Sequence, residues 1–281
     1  MTVEDVTDRV MAVAPVRAAM LAATGGHLRV LGYHGIDDPE VLDRQLALLR
    51  RHYRPVALAD VVAALDGAPL PRRAVWVTFD DGDPSVVEVA LPVLRAHGVR
   101  ATMFVCPSVV DTDEPLWWQA IGDEREVARL KRAPDAERRA AVATTARRVR
   151  QVTTAQLRLF ARECDIGNHT WSHPILDQCS DDEQRRQVHA AHEWLTATLG
   201  VAPVAFAFPN GNAAPAARDE LERLGYRIAL LHDHRLTRLR DPLAMSRLRV
   251  GDHISDARFA AIVAGAHPAV HAARRRLRGP S

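Results

Sequence analysis

Strand-like and helix-like segments alternate along nearly the whole chain, and that alternation limits the fold more than any other feature of the sequence. The first strand candidate is LRVLGYHGI (28–36), followed by a helical stretch at 39–52 with Leu42, Leu46 and Leu49 on one side. RPVALADVVAAL reads as a short strand and then a helix from Leu58, and Gly67, Pro69 and Pro71 break the chain before the next strand. That strand, VWVTF (75–79), leads into a helical segment divided or kinked by Pro92 and stopped at Gly98, and then into RATMFVC. The same beat returns with CDIGNHT (164–170), a helix at 180–199, VAFAF (204–208), a helix at 214–224, YRIALL (226–231) and MSRLRV (245–250). A last helix runs from Asp256 to Ala264. Strand, helix, strand, helix at this pace predicts a parallel sheet covered by helices, open or closed into a barrel.

Residues 111–163 interrupt the rhythm. They are rich in Arg, Glu and Ala, with Trp117 and Trp118 near the start, and read as an inserted helical excursion. The expected organisation is a helical extension at 1–27, one catalytic domain at 28–265 and a basic tail at 266–281. Arg274, Arg275, Arg276 and Arg278 give that tail its charge and read as a solvated end.

In such α/β arrangements functional groups collect at the C-terminal ends of the strands. VWVTFDDGDPS (75–85) places Asp80 and Asp81 side by side at one such end. Two adjacent carboxylates repel, so the fold needs a cation, a basic side chain or a shared proton beside them. Asp83 reads as a turn or cap residue. His169 and His173, in GNHTWSHP, lie one tight loop apart at another strand end, where Pro174 disfavours a helix interior. The spacing alone is weak: the chain has 13 histidines, including His267 with His271, His189 with His192, and His232 with His234. His169 and His173 stand out because they follow a strand, because Asn168, Thr170 and Ser172 can hydrogen-bond the far imidazole nitrogens, and because a carboxylate lies at an equivalent position. Two histidines and an aspartate leave a divalent metal with open positions, a catalytic arrangement.

These residues carry a resemblance. TFDDG (78–82) followed by HTWSHP (169–174) resembles the polysaccharide deacetylase family, the NodB-homology group or carbohydrate esterase family 4. LGYHGI, LPVLRAHGVRATMFV, FAFPNGN and the segment GYRIALLHDH to MSRLRV resemble its other motifs in order, over roughly residues 28–260. The resemblance implies a distorted or incomplete (β/α) barrel of parallel strands, with a helical insertion here. It implies Asp80 as general base and Asp81, His169 and His173 as ligands of one divalent ion, zinc first, with cobalt, nickel or manganese as alternatives. It also implies that the N–H of Asn210, after Pro209, helps bind an oxyanion, with Gly211 allowing close approach.

The sequence departs from the family's common pattern in three places. Ala207 stands where many members carry an arginine, an FAxP-type variant, so Arg247 is expected to serve Asp80, with Arg249 as the same-face alternative. His232 in LLH is the candidate general acid, with His234 behind it. The family's DxxDW motif has no clear counterpart. His34 either borders the pocket or packs, and Trp117 and Trp118 either form a sugar-stacking wall or hold helices together.

The expected function is metal-dependent removal of an N-acyl group, acetyl foremost, from an amino sugar or glycoside. The alternatives are a related amidohydrolase on a formamide, cyclic imide or ureide, and a non-catalytic sugar-binding homologue. Near-balance of 37 basic and 35 acidic residues gives no reason to expect nucleic acid as a partner. Three cysteines make no disulfide framework, and the apolar segment near the N-terminus is too short to span a bilayer and is broken by Arg17, so a cytoplasmic protein is expected.

Overall fold

The computed structural model describes residues 14–270 except Thr144 and Arg238. The first thirteen residues and the tail from 271, including its four arginines and His271, lie outside the described residues. Eight parallel strands form one curled sheet: β1 (Arg29–Tyr33), β2 (Arg54–Pro55), β3 (Ala74–Phe79), β4 (Ala101–Val105), β5 (Asp165–Asn168), β6 (Ala205–Ala207), β7 (Ile228–Leu230) and β8 (Leu248–Arg249). Their order is β7-β6-β5-β4-β3-β1-β8, with β2 added to β3.

This is the incomplete barrel expected, and the segment from Met245 to Val250 draws its two edges together. The Met245 N–H donates to the Ala229 carbonyl (2.9 Å), and its own carbonyl accepts from the Leu231 N–H (2.8 Å), so one end of the segment lies on β7. At the other end Leu248 and Arg249 pair with Leu31 and Gly32 of β1. Strand β3 is buried along its whole length, as a parallel strand covered on both faces must be. Its side chains alternate between two cores. Val75, Val77 and Phe79 pack outward under the helices with Leu42, Leu46 and Leu49 of the helix Pro39–His52. Ala74 and Trp76 point inward, to a cluster with Phe104, Ala207 and Leu230. Period two then carries Thr78 and Asp80 to the inside of the barrel as well.

The break expected at Pro92 takes a defined form. A π-helical turn, Val86–Ala90, precedes the α-helix Leu91–His97, so the wide turn falls just before the residue that lacks an N–H. Gly98, at φ 62°, ends that helix. Asp83 accepts from the Ser85 N–H (2.9 Å) and hydroxyl (2.6 Å), so it shapes the turn after the two aspartates.

The excursion between β4 and β5 holds three short helices, Trp117–Ile121, Glu124–Leu130 and Asp135–Val142. The fourth helix of that stretch, Thr154–Ala161, is part of the barrel's outer layer: Leu157 and Phe160 are buried in the main outer core. At the opposite end of the barrel the buried Arg29 donates to the carbonyls of Val263 (2.8 Å) and His27 (2.8 Å), tying the last helix to the start of β1.

Candidate active site

Strand β3 delivers two aspartates in opposite senses. Asp80 continues the inward alternation and is buried. Asp81 follows in the left-handed region, φ 71°, a conformation disfavoured for a residue with a Cβ. The twist turns its carboxylate toward the loop after β5, where Oδ1 lies 3.4 Å from His169 Nε2 and 3.4 Å from His173 Nε2. That oxygen is buried and has no hydrogen-bond partner among the described residues.

The loop holding the histidines is itself hydrogen-bonded. Asn168 donates to the Val188 carbonyl (3.0 Å) and the Tyr226 hydroxyl (2.7 Å), while its side-chain oxygen accepts from the Thr170 N–H (2.8 Å). The Thr170 hydroxyl accepts from the His173 N–H (3.0 Å). Asn168 and Thr170 therefore hold backbone and the Ser172 hydroxyl pairs with the Gln187 side chain (3.0 Å), so the expectation that these residues bind the far imidazole nitrogens is not met. His169 Nδ1 donates instead to the carbonyl of Ala207 (2.7 Å), which fixes the tautomer and leaves the Nε2 lone pair facing Asp81. His173 is left-handed too, φ 55°, and the Trp118 ring packs edge-on against it at 4.1 Å between centroids.

The three donor atoms suit a divalent cation. Bonds of about 2.0–2.1 Å at tetrahedral angles separate neighbouring ligand atoms by about 3.3 Å, close to the two observed spacings. Burial, opposed only in part by Asp81, pushes the His173 pKa down to about 3, so the ring is neutral, as a ligand must be. Burial alone would raise the Asp81 pKa, but the two imidazoles facing it, His169 first and His173 next, outweigh it and lower it.

Asp80 has a different partner. Arg247 Nη1 and Nη2 donate to its two carboxylate oxygens at 2.6 and 2.8 Å, and both side chains are buried. Arg247 Nε donates to the Leu231 carbonyl (2.9 Å), which fixes the plane of the guanidinium. Burial by itself would raise the Asp80 pKa, but the Arg247 charge and then His169 reverse this and hold the carboxyl well below the usual carboxylate range. Arg249 does not reach Asp80; its guanidinium donates to the carbonyl of His232 (3.0 and 2.8 Å).

Both aspartates and both histidines open onto a cavity of about 390 Å³, also lined by His34, Trp117, Asn210 and His232. Pro209 is buried and does not line it. His34 is exposed at the border and stacks on His232 with ring centroids 5.8 Å apart. His232 is buried, its Nε2 has no hydrogen-bond partner among the described residues, and burial followed by the Arg247 charge pushes its pKa well below 6.5. His234 does not line the cavity; its Nδ1 accepts from the Arg249 N–H (3.1 Å). Trp117 is both wall and packing residue, buried with Leu130, Ala133 and Ile175. Asn210, at φ 57°, is the third left-handed non-glycine residue lining the site. Such clustering of disfavoured backbone is characteristic of functional sites.

Sequence reasoning missed the Ala207 carbonyl, the contact of Trp118 with His173, and the cation Lys131 on the cavity wall, which Arg249, expected only as an alternative partner of Asp80, also lines. The first is a backbone atom and has no signal in residue identity. Trp118 reads in the sequence as a sugar wall or a helix-packing residue, and neither reading places it against an imidazole.

A family model described as polysaccharide deacetylase matches residues 67–229. The chain belongs to the polysaccharide deacetylase family. The poly-beta-1,6-N-acetyl-D-glucosamine N-deacetylase of Escherichia coli K12 is 28% identical over 214 residues, covering 66% of this chain and 29% of that protein. The peptidoglycan-N-acetylglucosamine deacetylase of Bacillus cereus is 27% identical over 156 residues, covering 55% of this chain and 42% of that one. The chain thus spans less than half the length of either relative. Among solved structures, the Streptococcus pyogenes deacetylase PplD in complex with acetate superposes with a TM-score of 0.64 at 21% identity, over 82% of this chain and 94% of that one. IcaB from Ammonifex degensii superposes with a TM-score of 0.62 at 20% identity, over 86% of this chain and 97% of that one. At these identities the structural likeness establishes the deacetylase fold.

Proposed function

We propose that this member of the polysaccharide deacetylase family is a metal-dependent N-deacetylase that removes an acyl group, acetyl foremost, from the nitrogen of an amino sugar. One observation carries the reading: two adjacent aspartates are given separate partners, Asp81 the two imidazoles and Asp80 the Arg247 guanidinium, on the wall of one cavity. A sugar-binding protein has no use for that division.

Asp81, His169 and His173 would hold the ion, and zinc is the first choice for two nitrogens and an oxygen. Bound there, a divalent cation lowers the pKa of water and polarises an acyl carbonyl. Asp80, fixed by Arg247, is placed to accept the proton of the attacking water. The Asn210 N–H, at the cavity wall, is a candidate donor to the developing oxyanion. His232 serves the leaving nitrogen. It is neutral in the free protein, so the proton it donates is one it has first received from the attacking side. One ligand atom each of Asp80, His34 and His232 lie within 4.8 Å of one another, within reach of a single bridging water.

The test is acetate release from N-acetylated glucosamine oligomers by the purified protein, stripped of metal and then restored with zinc, cobalt, nickel or manganese. Release that depends on metal is expected. Release unaffected by stripping, or none from any N-acetylated sugar, would count against the reading.

A further inference from the structure

We propose that Lys131 and Arg249 form an anion-recognition pair at the mouth of the cavity, so that the amino-sugar substrate carries a carboxylate or phosphate. This deepens the deacetylase reading and rests on it for the identity of the sugar.

Lys131 is the one lysine among the chain's 37 lysine and arginine residues, and it lines the cavity that holds both aspartates. It also borders two adjoining cavities, one of them reaching Asp177 and Asn212, so it stands where three hollows meet. About half of the arginines described are paired with acids, as in Arg95 with Glu163, Arg150 with Glu88 and Arg218 with Asp241. Among the described residues no carboxylate lies within ion-pairing distance of Lys131 or Arg249. Arg249 spends two of its donors on the His232 carbonyl and has others left for a ligand.

The turn carrying Lys131 is held from below. Arg138, buried, donates through Nη1 to the carbonyls of Leu130 (2.9 Å) and Ala133 (2.9 Å), and through Nη2 to Asp135 (3.3 Å). Leu130 itself is buried against Trp117. A buried guanidinium that clamps both ends of the two-residue exposed turn Lys131–Arg132 fixes the backbone from which the ammonium emerges. Burial, and then the like charge of Arg249, lower the Lys131 pKa. Asp81 acts on Lys131 and Asp233 on Arg249 only as neighbouring charges, without a direct ion pair, and two like cations at a cavity mouth are further relieved by an anion between them. A lysine suits the mouth, where its compact charge on a flexible stem can follow a ligand, better than a planar arginine fork.

Calorimetric titration with N-acetylglucosamine, N-acetylglucosamine 6-phosphate and N-acetylmuramic acid reads the preference directly. At low salt at least one of the charged sugars should bind about tenfold more tightly than the neutral one, the scale of one charge-assisted hydrogen bond. Which of them does so separates a phosphate from a carboxylate as the recognised group. Lys131→Met should remove most of that ratio, Lys131→Arg should retain much of it, and added salt should shrink it. Equal affinity for all three sugars, or a ratio unchanged in Lys131→Met, would overturn the inference. Acetate release from the same sugars is scored separately. A binding preference without acetate from any sugar overturns the deacetylase reading and leaves the anion site standing, whereas acetate release with equal binding does the reverse.

Discussion

Arg247 grips Asp80 through two hydrogen bonds, 2.6 and 2.8 Å, inside the barrel, joining the segment that draws the sheet edges together to the end of β3. The pair answers the absence of an arginine at Ala207: the cation comes from a different part of the chain and still meets the same carboxylate. It also neutralises one of two adjacent acids, leaving Asp81 as the acid for the ion. Removing one partner of a buried pair strands the other, at a cost of about 3–5 kcal/mol.

Arg247→Ala should therefore lower both turnover and stability while leaving metal content near that of the parent. The loss in turnover should be about 100-fold or more, the scale of a disabled acid–base group. Arg247→Lys restores charge without the two-pronged geometry and should fall between the two. Metal analysis, thermal unfolding and acetate release on the three proteins check this. Near-parental turnover in Arg247→Ala would sink the role assigned to the pair.

The two aspartates should separate cleanly under amide substitution. Asp81→Asn should lose metal affinity by more than the 10–100-fold that accompanies loss of an outer-shell partner. Asp80→Asn should keep metal and lose turnover. Metal titration followed by metal analysis after gel filtration gives the first readout, independent of activity. If both variants lost metal equally, the division of labour would be wrong.

Much of this was legible in the chain, and the reasons are physical. The period-two pattern of Val75, Val77 and Phe79 against Ala74 and Trp76 already directs Asp80 inward, and Pro92 marks the turn that becomes a π-helical segment. Barrel closure was not legible, because it rests on one bridge at Met245 and a two-residue strand, too short for any periodicity. The choice between Arg247 and Arg249 is likewise tertiary: the two share strand parity, and only packing sends one to Asp80 and the other to a backbone carbonyl. The left-handed twist at Asp81, His173 and Asn210 carries no glycine to announce it. Lys131 sits in a segment whose composition reads only as an inserted helical excursion, and its place at the cavity comes from where Arg138 holds the turn.

Gly211 tests how His232 is placed. It sits at φ 78°, and a Cβ there would come within 2.7 Å of the His232 Cα, deep inside van der Waals contact. Gly200 has nearly the same backbone, φ 75°, with nothing within 4 Å of a Cβ. Gly200→Ala should therefore cost about 1 kcal/mol from backbone strain alone and leave turnover unchanged. Gly211→Ala should cost about 1–3 kcal/mol more and reduce kcat, because the chain bearing His232 has to move. Thermal unfolding and kcat for the two variants decide the matter. Equal effects would mean that the His232 contact tolerates a methyl group.

The pH dependence of stability should carry the mark of His232. Burial first, and the Arg247 charge second, hold its folded-state pKa well below 6.5, whereas the unfolded ring titrates near 6.5. Between those values the unfolded chain binds a proton that the folded chain refuses. The stabilisation is thus complete above about pH 6.5 and is lost progressively as the pH falls below it. His232→Asn removes the titrating group, so its melting temperature should fall less steeply than the parent's between pH 6.5 and 5. The comparison belongs on metal-stripped protein, where His169 and His173 titrate alike in both chains and cancel. Parallel curves for the two proteins would show that His232 is not held neutral by its surroundings, and the proton it is assigned in the proposed reaction would then have to come from its own resting charge.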